Sequence, residues 1–135
     1  MHTYIIGIIR TFLKTKHKSF PQVVLSKHEV PNDDVNSFVR VFWSYGDQSF
    51  YSNNASSTSD MLVLEVYERM FTSESTIEDF ILNIRNEMLF KFKTFKYNGK
   101  VGRITNVSII ENNNDEMWKS YSVTIPINVF EEEAN

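Results

Sequence analysis

Hydrophobic residues near the start of the chain recur with the spacing of a helix. They fall at positions i, i+1, i+4 and i+5, which share one helical face; these residues are Tyr4, Ile5, Ile8, Ile9, Phe12 and Leu13. The pattern predicts an amphipathic helix over about residues 2–16, packed on a sheet. Its apolar run is too short to span a bilayer and has neither the basic stretch nor the cleavage site of a signal peptide, so we expect no contact with a membrane.

After Pro21 the hydrophobic period shortens to two, which is typical of strands. Short strands are predicted over residues 22–26, 38–44 and 61–67, and the third is apolar on both faces until Glu65, as expected for a central strand. The intervening segment, residues 45–59, is crowded with Gly, Ser, Asn and Asp. It is predicted to be a long exposed loop, and such loops in compact domains are usually functional or disordered.

A second helix is predicted from Ser75 to about Lys93. Ser75 and Glu78 have the spacing of a capping box, in which a hydroxyl and a carboxylate each accept from a free backbone amide. One apolar stripe then runs along the segment; its members are Ile77, Phe80, Ile81, Ile84, Met88 and Phe92. The stripe indicates that this helix also lies on the sheet.

The last part of the chain reads as a hairpin. A turn over residues 97–100 precedes a predicted strand over 101–110, an acidic connection over 111–116, and a final strand over 118–130 with clean alternation. Pro126 interrupts that strand and has no amide hydrogen to donate, so we expect it at an edge or a bulge, not in the middle of the sheet. An edge at Pro126 would be open to another subunit.

Taken together, these elements predict a single α+β domain over residues 1–135. Its sheet is expected to be single, mostly antiparallel and of about five strands, with both helices packed on one face. Hydrophobic residues make up 41% of the 135 positions, which supports a compact fold. A short acidic tail, residues 131–135, follows the last strand; we interpret Glu131, Glu132 and Glu133 as a solvated tail, or alternatively as an acidic rim on an assembly.

Charge and composition exclude some functions and leave others open. The formal net charge is −3, which gives no general attraction to nucleic acid. The basic cluster at residues 14–18 is expected to complement the negative end of the first helix, with phosphate binding as the alternative. The chain contains no cysteine, so disulfide and thiolate chemistry are excluded.

Candidate chemistry is sparse along the chain. His2, His17 and His28 share no metal-ligand spacing with acidic residues. The neighbouring carboxylates at residues 33–34 and 115–116 fall in predicted turns, where such residues are expected for backbone reasons. We therefore expect no enzyme activity, no catalytic residue, no metal and no cofactor.

The remaining candidates are surface residues. Phe50 and Tyr51 lie inside the polar loop, where they either fold back as a local anchor or are buried by a partner. Trp118 follows the acidic connection and either covers the end of the sheet or contributes to an interface, where Trp is enriched. With Pro126, these residues form the predicted subunit or tube interface.

From residue 60 to 130 the chain resembles the tail terminator proteins of long-tailed bacteriophages, also called minor tail or tail completion proteins. The resemblance rests on element order and composition in this region: the strand 62–67, the polar link 72–75, the helix 76–92, a strand after Gly102, the acidic stretch 114–116, Trp118, and the long alternating strand 121–130. An initial helix followed by two strands and a long loop also fits that family.

The resemblance implies a structural virion protein in the phage tail, assembled in the cytoplasm of the host bacterium. Such proteins form a ring, typically hexameric, that caps the head-proximal end of the tail tube and ends its polymerisation. The implied partners are further copies of the chain, the tail tube protein and a head or neck connector protein, while DNA passes through the pore without specific binding. The alternatives are another head-to-tail joining (neck) protein and a non-viral α+β domain that binds a small molecule.

Overall fold

A computed structural model describes residues 1–45, 60–70, 76–112 and 115–131, and the backbone of residues 48–50 and 56–58. The described elements are two helices and nine strand segments. In chain order they are α1 (His2–Lys16), β1 (Val23–Leu25), β2 (Ser37–Ser44), β3 (Gln48–Phe50), β4 (Ser56–Thr58), β5 (Met61–Arg69), α2 (Ile77–Phe90), β6 (Thr94–Tyr97), β7 (Lys100–Ile104), β8 (Ser108–Glu111) and β9 (Trp118–Glu131).

The long strand β9 organises the sheet. Its first nine residues pair with β5, and on its other side it pairs with β8 and then with β7. β2 and β1 extend the sheet beyond β5, and β6 extends it beyond β7. The sheet curls into a half-barrel. The predicted α+β class is confirmed, but the predicted sheet of about five mostly antiparallel strands is wrong, because the sheet is larger and mixed.

The mixed character comes from β1, which lies parallel to β2. Parallel neighbours cannot be joined by a tight hairpin, so the chain has to cross one face of the sheet between them. Residues 26–36 make this connection over the helix-free face, where Val35 packs with Phe38 of β2 and Leu25 of β1. Residues 26–36 are all described, and none of them is helical.

Both helices contribute to one core on the concave face of the sheet. α1 occupies its predicted range and buries Ile5, Ile9, Phe12 and Leu13. The predicted stripe of α2 is buried from Ile77 to Met88. Their partners are alternate residues of the three central strands, since successive side chains of a strand point to opposite faces; these are Val39, Val41, Leu62, Leu64, Val66, Val123, Ile125 and Ile127.

Residues 45–59 were predicted to be a loop, but this segment contains β3 and β4, which pair with each other. Thr58 of β4 pairs with Val129 of β9 in the same register in which Met61 of β5 pairs with Pro126. β3 and β4 therefore continue the β2–β5 hairpin beside the last residues of β9, with β3 on the outer side of β4. Residues 46–47, 51–55 and 59 lie outside the described residues.

Smaller differences concern the second half of the chain. α2 begins at Ile77 with Thr76 as its N-cap and ends at Phe90, so the helix is shorter than predicted. β6 was not predicted; it forms a tight hairpin with β7 through Asn98 and Gly99, which both have positive φ, 54° and 72°. Positive φ at both central positions is the requirement of a type I′ turn, and Asn-Gly is its favoured sequence.

Candidate interaction surfaces

An aromatic cluster lies on the helix-free face of the sheet. The rings of Phe38 and Tyr67 stack with their centroids 4.6 Å apart, and Trp118 meets Phe38 edge-on at 5.1 Å. The guanidinium of Arg69 lies 4.2 Å from the centre of the Trp118 ring, and that of Arg40 lies 5.1 Å from the Phe38 ring. The cluster combines aromatic stacking with cation–π attraction at the place where the crossover reaches the sheet.

The two arginines hold the crossover in place. Arg69 donates from Nε to the carbonyl of Val35 at 3.1 Å and from Nη2 to that of Asp33 at 3.0 Å. Arg40 donates through Nε and Nη2 to the carbonyl of Glu29, at 3.4 and 3.3 Å. A shallow groove of about 320 Å³ remains between the crossover and the cluster. Trp118 is thus partly buried against its own chain, and its predicted role in an interface stays a prediction.

Tyr67 forms a polar contact beside this cluster. Its hydroxyl donates to Oε2 of Glu65 at 2.7 Å. Burial raises the pKa of Tyr67 to about 12, and the hydrogen bond to Glu65 and its negative charge add to the shift. At neutral pH the phenol therefore remains protonated and serves as a donor.

Pro126 lies in β9 opposite a bulge. Between the pairs Ile104–Ile127 and Ser108–Thr124, the three residues that link β7 to β8 stand opposite only two residues of β9. The amide of Ile127 donates to Asp60 on the β5 side, so the nitrogen of Pro126 faces the bulge, where no ladder bond is lost. The bulge was one of the two predicted positions. The other, an edge, is wrong, since β9 has paired strands on both sides.

The other two predicted interface residues are only partly within the described chain. The backbone of Phe50 ends β3, where it pairs with Ser56. The side chain of Phe50 and the whole of Tyr51 lie outside the described residues. Trp118 and Pro126 stand eight positions apart on β9 and are not neighbours. The structure thus does not gather the four predicted residues into one described site.

An open groove lies along the outer side of α1. It measures about 590 Å³ and is lined by Thr3, Tyr4, Gly7, Ile8, Thr11, Phe12 and Thr15. We call it the α1 groove. At one end Tyr4 stacks on Tyr97 of β6, with 4.6 Å between ring centres, and at the other Phe12 contacts Phe92 at 4.8 Å. Tyr4, predicted to pack on the sheet, is instead exposed in this groove, whereas Ile8 lines the groove and also packs against the core.

Sequence reasoning did not find the α1 groove, although a signal is present. Thr3, Gly7, Thr11 and Thr15 recur every fourth residue, which places these small side chains in one row along α1. Because these side chains are short, they leave a depression between the larger side chains on either side. Beside Gly7 there is open space, since an added Cβ would meet nothing within 4 Å.

Ion pairs and hydrogen bonds tie the elements around the core. His2 Nε2 lies 2.6 Å from Oδ2 of Asp60, and His17 Nε2 lies 2.7 Å from Oε1 of Glu87, which links α1 to α2. Glu78 was predicted to close a capping box with Ser75. Ser75 lies outside the described residues; Thr76 is the N-cap of α2, and Glu78 pairs with Lys119 of β9. That hydrogen bond raises the pKa of Lys119.

Within residues 1–45, 60–70, 76–112 and 115–131, no group of three or more His, Cys, Asp or Glu side chains is placed to hold a metal ion. Within the same part of the chain, neither helix combines the length and the hydropathy needed to cross a membrane.

The fold and the surfaces described so far define an α+β domain with a half-barrel sheet, an outer hairpin and two exposed grooves. No protein-family model matches this chain, and no curated protein is significantly similar to it in sequence.

Proposed function

We propose that this chain is a structural virion protein that caps the head-proximal end of a phage tail tube. In this proposal it forms a ring, typically hexameric, that ends tube polymerisation and offers the docking surface for the head or neck. It would reside in the virion tail after assembly in the bacterial cytoplasm, and it would act through surface complementarity, without catalysis or a cofactor.

The observation that carries the proposal is the outer hairpin of β3 and β4. Its only described pairing with the rest of the sheet is Thr58 with Val129, and within the described residues β3 pairs with β4 alone. An outer strand presents unpaired backbone N–H and C=O groups, which another chain can pair with. An outer strand such as β3 is suited to contact a neighbouring ring subunit or the tube.

Exposed apolar side chains give a second line of support. Large hydrophobic residues are exposed on several sides of the described chain, including Phe90 at 78% and Val30 at 82%. Tyr4, Tyr45, Tyr97, Ile110 and Met117 are also exposed. Two pairs of them are neighbours, since Tyr4 stacks on Tyr97 and Val30 lines the same groove as Met117. Exposed apolar side chains that lie together commonly mark contact with other proteins. A ring subunit requires such surface on both sides and towards the tube.

The test is reconstitution with purified tail tube protein. Light scattering during tube growth and negative-stain imaging of the products measure tube length and the structure at tube ends. We expect the chain to shorten the tubes in proportion to its concentration and to leave a ring at one end only. Binding to a head-side connector with no effect on tube growth would favour the neck protein. Absence of binding to both would contradict the proposal.

A further inference from the structure

The surroundings of the α1 groove are basic. Residues 88–104, which run beside α1 as the end of α2 and the β6–β7 hairpin, contain no Asp or Glu; their basic members are Lys91, Lys93, Lys96, Lys100 and Arg103. Nζ of Lys91 lies 4.7 Å from the centre of the Phe12 ring, which lines the groove. Of the carboxylates near α1, Asp60 pairs with His2 and Glu87 with His17, while Glu131 stands opposite Lys100 in the β7–β9 ladder.

A second exposed surface has the opposite charge. The crossover carries Asp33 and Asp34, and the start of β9 is preceded by Asp115, Glu116 and Met117; all five are exposed. Val30, Asp33 and Met117 line the same shallow groove, so the two segments are neighbours. We call this surface, residues 30–34 with 115–117, the acidic corner. Arg40 and Arg69 lie beneath it but are held by backbone carbonyls and aromatic rings.

The two surfaces match in chemistry and lie on opposite sides of the sheet. The α1 groove offers an apolar floor of Tyr4, Ile8 and Phe12 with lysines beside it, while the acidic corner offers exposed Val30 and Met117 among carboxylates. The α1 groove belongs to the helical layer, and the acidic corner belongs to the crossover on the helix-free face. One copy therefore cannot satisfy both surfaces by itself.

We infer that the α1 groove of one copy of this chain binds the acidic corner of a second copy. Such a contact is head-to-tail, and head-to-tail contacts close into a ring when the rotation between subunits allows it. The inference rests on the proposed ring and deepens it, because it names the two surfaces of the subunit contact. Opposite charges would also fix the orientation of the subunits and speed their encounter.

Cysteine cross-linking tests this contact, because the chain has no cysteine of its own. Gly7→Cys places a thiol in the α1 groove, where there is open space, and Val30→Cys places one on an 82% exposed position of the acidic corner. After mild oxidation we expect the double variant to give a ladder of covalent oligomers ending at a closed ring. An equal mixture of the two single variants should stop at dimers.

The control pair is Gly7→Cys with Asn106→Cys, since Asn106 is exposed at the bulge and belongs to neither surface. We expect at least tenfold less cross-linking from this pair. Equally efficient dimers from Gly7→Cys alone or Val30→Cys alone would indicate a symmetric contact and overturn the inference. If wild-type rings are seen but the Gly7/Val30 pair does not cross-link, the contact is wrong while the ring remains. If no ring forms even when tail tubes are present, the proposed function and this inference are both wrong.

Charge reversal adds a second readout. In the cross-linking variant, Lys91→Glu alone or Asp33→Lys alone should lower the yield of oligomers about tenfold, and the two together should restore it. Failure of the restoration would overturn the charge pairing.

A basic groove can also attract DNA. If a fluorescent 20-base-pair duplex binds the wild type, loses binding in Lys91→Glu and blocks cross-linking, the α1 groove is a nucleic-acid site and the inference is wrong.

Discussion

Oε2 of Glu68 accepts two hydrogen bonds from Thr76, one from the backbone N and one from Oγ1, each at 3.1 Å. Glu68 is only 4% exposed and lies in β5, while Thr76 is the N-cap of α2. The first amides of a helix have no partner within the helix, and a negative charge there is favourable. A residue of β5 thus accepts the hydrogen bonds at the N-terminus of α2.

Replacing this carboxylate tests its role as a cap. Glu68→Ala leaves the amide of Thr76 without its acceptor, so we expect a loss of about 1–3 kcal/mol in the free energy of unfolding, measured by urea denaturation. Glu116→Ala, a change at an exposed glutamate, should stay within about 0.5 kcal/mol of the wild type. Equal effects of the two changes would show that Glu68 does not stabilise α2.

Two glycines give a matched pair with opposite expected effects. A Cβ at Gly102 would lie 3.2 Å from Cγ2 of Ile127 and 3.3 Å from Cδ1 of Ile5, whereas a Cβ at Gly7 meets nothing within 4 Å. We expect Gly102→Ala to destabilise the fold by about 1–3 kcal/mol through overpacking. Gly7→Ala should stabilise it by up to about 1 kcal/mol through helix propensity. Thermal and urea unfolding of both variants measure the difference, and a stabilising Gly102→Ala would contradict the close approach of α1 to β7.

Stability at alkaline pH should depend on Tyr67. Its pKa is about 12 in the folded chain against an ordinary value of 10.0, so the folded state holds the phenolic proton more tightly. The resulting stabilisation is fully present below pH 10 and is lost as the pH rises from about 10 to 12. Burial also raises the pKa of Tyr121, and the pKa of Lys119 is raised, so both add to the same trend.

The measurement is the urea midpoint at a series of pH values between 8 and about 11.5, which covers most of this window. We expect the wild type to lose stability across the upper part of the series and Tyr67→Phe to lose less, because that variant has no proton to release there. Tyr97→Phe, at an exposed ring, should follow the wild type. An unchanged slope in Tyr67→Phe would show that the Tyr67 proton is not linked to folding.

The parts of the fold that were predictable are those set by local pattern. The range of α1 and the buried stripe of α2 follow from periodicity, and the alternation of β9 follows from its one-sided burial. The parallel pairing of β1 was not predictable, since strand direction depends on where the crossover packs. β6 is only four residues long, with one buried side chain, Phe95. A strand this short shows too little hydrophobic alternation to be predicted from the sequence.

The candidate surfaces were harder to predict from the sequence, because they also depend on how distant parts of the chain pack together. The cap at Thr76 comes from Glu68, eight residues away on another element, and no local motif encodes it. The bulge was partly predictable, because proline is tolerated at only a few positions of a strand. To locate it, however, the segment opposite Pro126 had to be known. The α1 groove depends on how the β6–β7 hairpin lies beside α1, and β6 itself had been missed.

The outer hairpin provides the last prediction. Replacing Phe50 and Tyr51 together with Ser should weaken association with neighbouring subunits or with the tube at least tenfold. The melting temperature should stay nearly unchanged, because among the described residues β3 pairs with β4 alone and β4 has one pair with β9. Light scattering and tube-length measurements report association, and thermal unfolding reports stability. A large fall in melting temperature would instead place both rings in the core, and unchanged association would remove the hairpin from the contact.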